Sequence, residues 1–294
     1  MTAQGTAQGK ICLAIASGVT AGHVGLGATV PALALLGVEA WALPTVQLSG
    51  HAATPGVQGR RAPGAEVAAL GRGLAAAGAL ARASALCTGY LGSAEAAEAV
   101  AGLAADWRAA RGTAGGLWLC DPVLGDDGRL YLPEAVGALY RDRLVPAADI
   151  VTPNVFELGW LTGRPTDRLA EIAAAARALW ATGPAEVVVT SVSTGEASAP
   201  ADRLGLLVAT EAGAWLATAP RLPFRLNGAG DFVAAVLLAH RLAGLPAPEA
   251  AARAVAAAHA AAEAAGRMRR DDLPVVAAAE AWRAAAPATL IRLD

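Results

Sequence analysis

The stretch RLPFRLNGAGDFVAAVLLAHRL, residues 221–242, places three small residues and then an acid at the start of an apolar helix. Glycine is unfavourable inside helices, but it is accepted where the backbone must approach another group closely. The acid, Asp231, suits a helix N-terminus because free N–H groups and the helix dipole attract negative charge there. The stretch therefore predicts either a plain turn with a capped helix, or an anion-binding turn at Gly228, Ala229 and Gly230 beside a catalytic carboxylate.

The rest of the chain alternates apolar strands with helices. Strands are predicted at 11–17, 38–48, within 83–93, at the start of 116–128 and at 186–192, and helices at 65–80, 94–110, 133–148, 167–182, 228–244, 247–266 and 274–286. Two further strands, split by Glu211 and Ala212, predict a hairpin. Such alternation is typical of a parallel sheet covered on both faces. We therefore predict a doubly wound α/β fold, with a mostly parallel central sheet, helices on both faces and a late antiparallel edge.

Length and composition limit the number of domains and the classes of partner that the chain can have. The 294 residues are 55% hydrophobic, which suits one large domain, expected over 10–294 after a disordered tail over 1–9. A formal net charge of −2 with scattered arginines gives no sign of a nucleic-acid partner. No apolar run reaches the roughly 20 residues of a membrane span. Cys12, Cys87 and Cys120 lie in apolar runs, which predicts buried thiols and a cytoplasmic location.

Lys10 is the only lysine of the chain. A P-loop needs a lysine followed by Ser or Thr, but Ile11 follows here. An enzyme that carries pyridoxal phosphate as cofactor needs a lysine for its internal Schiff base, and a residue just before the first strand is poorly placed for that role. If the chain binds phosphates, their charge must be met by backbone N–H groups, Mg²⁺ and arginine.

Polar residues follow the apolar runs at the predicted carboxyl ends of the strands, where doubly wound sheets bind ligands. They are Ser17, Asp121, Thr152, Asn154, Thr190 and Ser191. Glu157 lies one helical turn after Asn154, on the same face. Two carboxylates, Asp121 and Glu157, near this edge could position Mg²⁺ between phosphates. The alternative is helix capping on a surface helix.

Residues 49–64, SGHAATPGVQGRRAPG, are rich in Gly, Pro and Arg. They predict a long mobile loop, and long loops in compact domains are often functional. His23 and His51 lie in glycine-rich loops and are expected to be exposed.

Together these residues resemble the pyridoxal kinases of the ribokinase-like superfamily, over about residues 11–259. The segments that carry the resemblance are IASGVTAGHVG, GVEAWALPTVQLSGH, TGYLGSAE, CDPVLGDDGRLYLPE, VPAADIVTPNVFELGWLTG, VVVTSV and NGAGDFVAAVLLA. GAGD alone would indicate only a ribokinase-like protein. The TVQ-x-S-x-H segment and TGYLGSAE are much narrower and indicate the pyridoxal branch.

The resemblance implies ATP-dependent phosphorylation of the 5′-hydroxymethyl group of pyridoxal, and of pyridoxine and pyridoxamine. It implies that Asp231 is the general base and that Gly228, Ala229 and Gly230 form the anion hole. It assigns ATP and Mg²⁺ to Asp121, Thr152, Asn154, Glu157, Thr190 and Ser191. It assigns the substrate to Ser17, Thr45, His51, Ala52 and Tyr90, under a mobile cover at residues 49–64. A homodimer is expected, and a monovalent-cation requirement is left open.

The chain departs from this family on the substrate side. The family has Ser-His where this chain has Ser17-Gly18, Asn at Leu26, and S-N-H-T where Ser49-Gly50-His51-Ala52 stands. The missing threonine is one that contacts substrate in the family. Two alternatives therefore stay open: a hydroxymethylpyrimidine kinase of the same superfamily, or a non-catalytic protein that binds pyridoxal phosphate or nucleotide.

Overall fold

A computed structural model describes residues 9–193 and 203–293 of the chain. Within them the strands are β1 (Lys10–Val19), β2 (Val38–Leu48), β3 (Gly59–Arg61), β4 (Ala85–Thr88), β5 (Leu117–Cys120), β6 (Gly125–Asp126), β7 (Arg129–Leu130), β8 (Ile150–Val151), β9 (Glu186–Ser193), β10 (Arg203–Thr210), β11 (Gly213–Pro220) and β12 (Leu290–Leu293). The predicted disordered tail lies outside the described residues, apart from Gly9.

The described helices alternate with these strands. They are α1 (Leu26–Leu35), α2 (Gly64–Ala76), α3 (Ala79–Arg82), α4 (Ala94–Arg111), α5 (Glu134–Leu139), α6 (Val145–Ala147), α7 (Val155–Thr162), α8 (Leu169–Trp180), α9 (Ala229–Leu242), α10 (Ala247–Met268) and α11 (Ala279–Ala284). A 3₁₀ turn follows α4 at Gly112–Ala114, and a π-helical turn links α5 to α6 at Tyr140–Leu144. None of the described helices carries an apolar stretch long enough to cross a membrane.

The strands form one ten-stranded sheet in the order β12-β11-β10-β9-β8-β5-β4-β1-β2-β3, with β6 and β7 as a separate small ribbon. The six central strands, from β9 to β2, run parallel. Antiparallel pairs flank them, β2 with β3 at one edge and β9 to β12 at the other. The predicted α/β fold with a late antiparallel edge is confirmed.

Helices cover both faces of the sheet because alternate side chains of each buried strand point to opposite faces. In β1, Leu13 and Ile15 join the core under α2, α4 and α8, whereas Cys12 joins the core under α1, α9 and α10. The second core is rich in alanine, and within it Phe232 packs edge-on against Trp282, with ring centroids 5.1 Å apart. The three cysteines are buried, as expected.

Several predicted boundaries of helices and strands were wrong. The helix predicted at 65–80 breaks at Gly78, which adopts a left-handed conformation (φ 66°) between α2 and α3. The helix predicted at 274–286 is formed only at Ala279–Ala284, because turns occupy residues 275–278 and bury Val275 against the second core. β12 was not predicted, and neither was β3, which ends the loop predicted over 49–64.

Candidate active site

The small-residue turn lies at the start of α9, as the sequence predicts. Gly228 is the N-cap of this helix and has φ 80°, a left-handed conformation that favours glycine. A Cβ atom at this position would overlap the carbonyl oxygen of His23, so the close approach also requires glycine. The first amides of a helix have no acceptor within the helix. Ala229, Gly230 and Asp231 therefore present a set of N–H groups that suits an anion.

Asp231, in the first turn of α9, is held by a distant loop. The backbone N–H of Gly25 donates a hydrogen bond to Asp231 Oδ2 over 2.8 Å. Burial raises the pKa of Asp231 to about 6, while the bond from Gly25 acts in the opposite direction. The carboxylate is therefore fixed in orientation and remains ionised at neutral pH.

Asp121 follows β5 at the same edge of the sheet. The Thr152 hydroxyl, which follows β8, donates to Asp121 Oδ1 over 2.9 Å. Burial, together with the nearby charge of Asp231, raises the pKa of Asp121 to about 7. The structure thus brings together the two acids that the sequence placed in different roles.

Glu157 and Asn154 form a capping box at the start of α7. Asn154 Oδ1 accepts the N–H of Glu157 over 2.9 Å, and Glu157 Oε2 accepts the N–H of Asn154 over 2.8 Å. Glu157 Oε1 also accepts the N–H groups of Leu124 and Gly125, at 2.8 and 3.2 Å. Asn154 Nδ2 donates to the Gly125 carbonyl over 2.7 Å. These bonds tie the loop after Asp121 to the helix.

Glu157 is only 3% exposed, so the capping alternative is correct for the bonding, but the carboxylate is not on a surface helix. Burial, together with the charge of Asp121, raises the pKa of Glu157 to about 8, and the three amide bonds act against this rise. Among the described residues, no group of three His, Cys, Asp or Glu side chains forms a metal-binding cluster.

Thr190 and Ser191 lie beside this capping box. Thr190 forms an isolated parallel bridge with Asn154, and its N–H donates to the Pro153 carbonyl over 2.8 Å. Ser191 is exposed and has φ 59°, which is an uncommon conformation for a residue other than glycine. Strained backbone of this kind is concentrated at functional sites. Both residues are placed where the sequence analysis expected them, at the edge beside Asp121 and Glu157.

The residues expected to bind substrate share fewer hydrogen bonds with one another than the residues around Asp121 and Glu157 do. Ser17 ends the buried part of β1, beside a register shift in the pairing with β2. Thr45 is fully buried, and its hydroxyl donates to the Tyr90 carbonyl over 2.6 Å. Thr45 therefore positions the loop that carries the half-buried Tyr90, and its hydroxyl is already used.

His51 and Ala52 lie in the loop between β2 and β3. His51 lines a cavity of about 450 Å³, together with Ser49 and Thr54 from the same loop and Asn227, Arg270 and Asp272 from the opposite wall. His51 is half-buried, and Ala52 is exposed and does not line the cavity. His23 is also half-buried, because it packs against Asp272, and the expectation that both histidines are exposed was wrong.

Sequence reasoning missed Gly25, the residue that holds Asp231. The available signal was the spacing of glycines in AGHVGLG, residues 21–27. Gly22 and Gly25 both have positive φ, and a Cβ atom on Gly25 would overlap Ser17. That spacing indicates an unusual loop conformation, but the contact with Asp231 spans 206 residues of sequence, so the spacing alone does not identify the partner.

The fold and this cleft together define a small-molecule kinase of the ribokinase-like class. The family model described as phosphomethylpyrimidine kinase matches residues 57–276. Pyridoxal kinase PdxY of Granulibacter bethesdensis is 42% identical over 78% of this chain and 81% of its own length, and that of Rubrobacter xylanophilus is 40% identical over 79% of each. Pyridoxal kinase from Leishmania donovani in complex with ADP and pyridoxine superposes with a TM-score of 0.90, at 30% identity over 98% of this chain and all of the other. The chain belongs to the pyridoxal kinases.

Proposed function

We propose that the protein transfers the γ-phosphoryl group of ATP to the 5′-hydroxymethyl group of pyridoxal, and also of pyridoxine and pyridoxamine. The observation that carries this proposal is the position of Asp231, directly after the small-residue turn and held by the Gly25 amide. Relatives of 40% identity or more that are named pyridoxal kinase support the acceptor, and the similar structure that holds ADP and pyridoxine supports the pairing of nucleotide with a vitamin B6 form.

Asp231 takes the proton from the acceptor hydroxyl as the phosphoryl group leaves ATP. The bond from Gly25 uses Oδ2, which leaves Oδ1 for that proton. Phosphoryl transfer depends mainly on positioning and charge stabilisation. The first amides of α9 supply the stabilisation, because they are fixed by the helix and need no rearrangement during the reaction.

Mg²⁺ fits the acidic side of this cleft. Burial and the charge of Asp231 push Asp121 towards its neutral form, and burial and the charge of Asp121 push Glu157 the same way. A bound divalent cation would remove that penalty. Asp121 would contact the cation or its water, and Glu157 would act through the loop that it holds. When bound, the cation would neutralise charge on the phosphates.

The acceptor side would be completed by the loop around His51. Ser17 and Tyr90 flank the acceptor in this proposal, and Thr45 holds Tyr90 in place. We also propose a homodimeric, cytoplasmic enzyme, as the resemblance implies, with ATP and Mg²⁺ as its cofactors; dependence on a monovalent cation is a matter for assay.

The test is an ATP-consumption assay with pyridoxal, pyridoxine, pyridoxamine and hydroxymethylpyrimidine as acceptors, together with calorimetry of Mg²⁺-ATP binding. We expect nucleotide binding and the highest kcat/KM with a vitamin B6 form. Preference for hydroxymethylpyrimidine would favour the other kinase of the superfamily. Binding of nucleotide or pyridoxal phosphate without turnover would favour the non-catalytic alternative, and no nucleotide binding at all would end the kinase proposal.

A further inference from the structure

Two segments from opposite ends of the chain meet beside the reaction site. Asp272 is only 7% exposed, and its carboxylate meets four nitrogen atoms. The backbone N–H of His23 donates to Oδ2 over 2.8 Å, and His23 Nδ1 lies 3.1 Å from the same oxygen. Arg270 donates through Nε and a terminal nitrogen, at 2.8 and 3.1 Å. The carboxylate therefore anchors a loop that is 249 residues away in sequence.

The loop anchored in this way is the one that holds the reacting acid. Gly25, two residues after His23, donates its N–H to Asp231. Its conformation (φ 57°, ψ −130°) is one that other residues rarely adopt, and it packs directly on Ser17. A short glycine-rich loop has high conformational entropy when it is free, so an anchor is needed to keep this N–H in place.

The same anchor contacts the anion-binding turn. The N–H of Asn227 donates to the Asp271 carbonyl over 3.0 Å, and Asn227 forms an isolated bridge with Asp272. Gly228, the next residue, packs against the His23 carbonyl. Asp272 thus connects the loop that orients the acid with the turn that would hold the phosphoryl group.

We propose that Asp272 is a positioning residue for phosphoryl transfer, which acts through His23 to keep the Gly25 N–H on the Asp231 carboxylate. This inference rests on the proposed function, because it concerns the acid that takes the proton. Asp272 contributes to the reaction through Gly25 and not by contact with the reacting atoms.

The expected signature is a change in the titration of Asp231. A hydrogen bond to the ionised carboxylate favours ionisation, so its loss raises the pKa of Asp231. The other titratable groups beside this carboxylate are Asp121 after β5 and Cys87 in β4, and burial together with the Asp231 charge raises the pKa of both. His23 and Arg270 face Asp272 on the loop side. A weaker anchor should therefore move the acid limb of the kcat profile to higher pH.

The experiment compares Asp272→Ala with Asp271→Ala. Asp271 is the matched control because it carries the same charge on the same segment, is exposed, and bonds Asn227 through its backbone carbonyl. kcat is measured from about pH 5 to about pH 9 at saturating ATP and acceptor. For Asp272→Ala we expect the acid limb to move up by about one pH unit, since one hydrogen bond to a charged group is worth about that much. Asp271→Ala should keep the acid limb of the wild type.

A purely structural role for Asp272 would lower kcat by the same factor at every pH and leave the acid limb in place, and that result would overturn the inference. If Asp272→Ala does not fold, Asp272→Asn is measured instead. It retains an acceptor for the His23 N–H but loses the charge that holds Arg270, so a smaller shift in the same direction is expected. An unshifted limb in the folded Asn variant would also overturn it.

Asp231→Asn separates this inference from the proposed function. If that variant turns over pyridoxal like the wild type, the proposed base is wrong. If it loses turnover while Asp272→Ala keeps the wild-type acid limb, only the role of Asp272 is wrong.

Discussion

The two sides of the cleft differ in how completely their side chains are already bonded. On the proposed nucleotide side, Glu157 accepts three backbone N–H groups and Asp121 accepts the Thr152 hydroxyl. On the proposed acceptor side, His51 accepts the N–H of Ala53, two residues along the same loop, over 3.3 Å, and Ala52 has no polar side-chain group. Groups that are fixed beforehand cost little ordering when a ligand binds, whereas groups on a loop must be ordered at that moment. The nucleotide side is thus pre-organised, and the acceptor side depends on its ligand.

Asp231 lies where the two sides meet, so its replacement should have the largest effect. Asp231→Asn keeps the size of the side chain and an oxygen that can accept the Gly25 N–H, so the fold should survive. The amide cannot take the proton, and kcat should fall by roughly 10²–10⁴-fold, the usual range for loss of a general base. Calorimetry should show little change in ATP affinity, because the anion-binding groups are backbone amides. Turnover within a few-fold of the wild type would mean that Asp231 only holds the Gly25 loop and is not the base.

Glu157→Gln tests the pre-organised side. One oxygen becomes an NH₂ group, so either the pair of bonds from the Leu124 and Gly125 N–H groups or the bond from the Asn154 N–H loses its acceptor. Either loss loosens the contact between α7 and the loop after Asp121. We expect kcat/KM for Mg²⁺-ATP to fall by roughly 10–100-fold, as for groups that orient metal ligands, with little change in the KM for pyridoxal.

Glu171→Gln is the matched control for this effect. Glu171 occupies the same capping position at the start of α8, where its carboxylate accepts the N–H groups of Asp167 and Arg168. A loss of activity in both variants would mean that capping stability, and not loop position, explains the result for Glu157.

Ala52→Thr tests the acceptor side. A threonine hydroxyl could donate a hydrogen bond that alanine cannot, and such a bond is worth about 0.5–1.5 kcal/mol net. The KM for pyridoxal should therefore fall by roughly 2- to 10-fold. Ala53→Thr, at the adjacent exposed position, should leave the KM unchanged. If Ala52→Thr has an unchanged or higher KM, the loop does not close as proposed.

The smallest expected effect is on stability. Asp121 and Glu157 have folded-state pKa values raised to about 7 and about 8, above their ordinary values near 4. Their protonation therefore stabilises the fold at low pH, and this contribution is lost as pH rises through about 7 to 8. Between pH 5.5 and pH 8, Asp121→Asn should show a fall in Tm that is a few degrees smaller than that of the wild type. Mg²⁺ should raise the wild-type Tm more at pH 8 than at pH 5.5. Parallel Tm curves would contradict this account.

The parallel core of the fold was predictable from the sequence because each buried strand is a continuous apolar run. Turn and capping residues mark the ends of the helices. The edge strands of the sheet were harder to predict. β12 is a four-residue strand with two exposed residues, and its pairing with β11 depends on contacts far apart in sequence. β3 consists of Gly59, Arg60 and Arg61, all exposed, so nothing in its composition indicates a strand.

The candidate site shows the same division. Asp231 and Gly228 were predicted from one contiguous stretch, and the strand-end residues Asp121 and Thr152 from topology. The hydrogen-bond partner of Thr45 could not be predicted from the sequence. Whether its hydroxyl faces substrate or a neighbouring carbonyl depends on how a second loop packs over it. Such contacts join residues far apart in sequence, and the identity of one residue does not reveal its distant partner.

The position of the single lysine matters for an enzyme whose proposed product is an aldehyde. Aldehydes of this kind condense with lysine amines to form Schiff bases. Lys10 begins β1 and is exposed at the edge of the sheet opposite the cleft, on the order of 20 Å along the strand from Ser17. At the cleft, the proposed product would therefore find no lysine amine with which to condense.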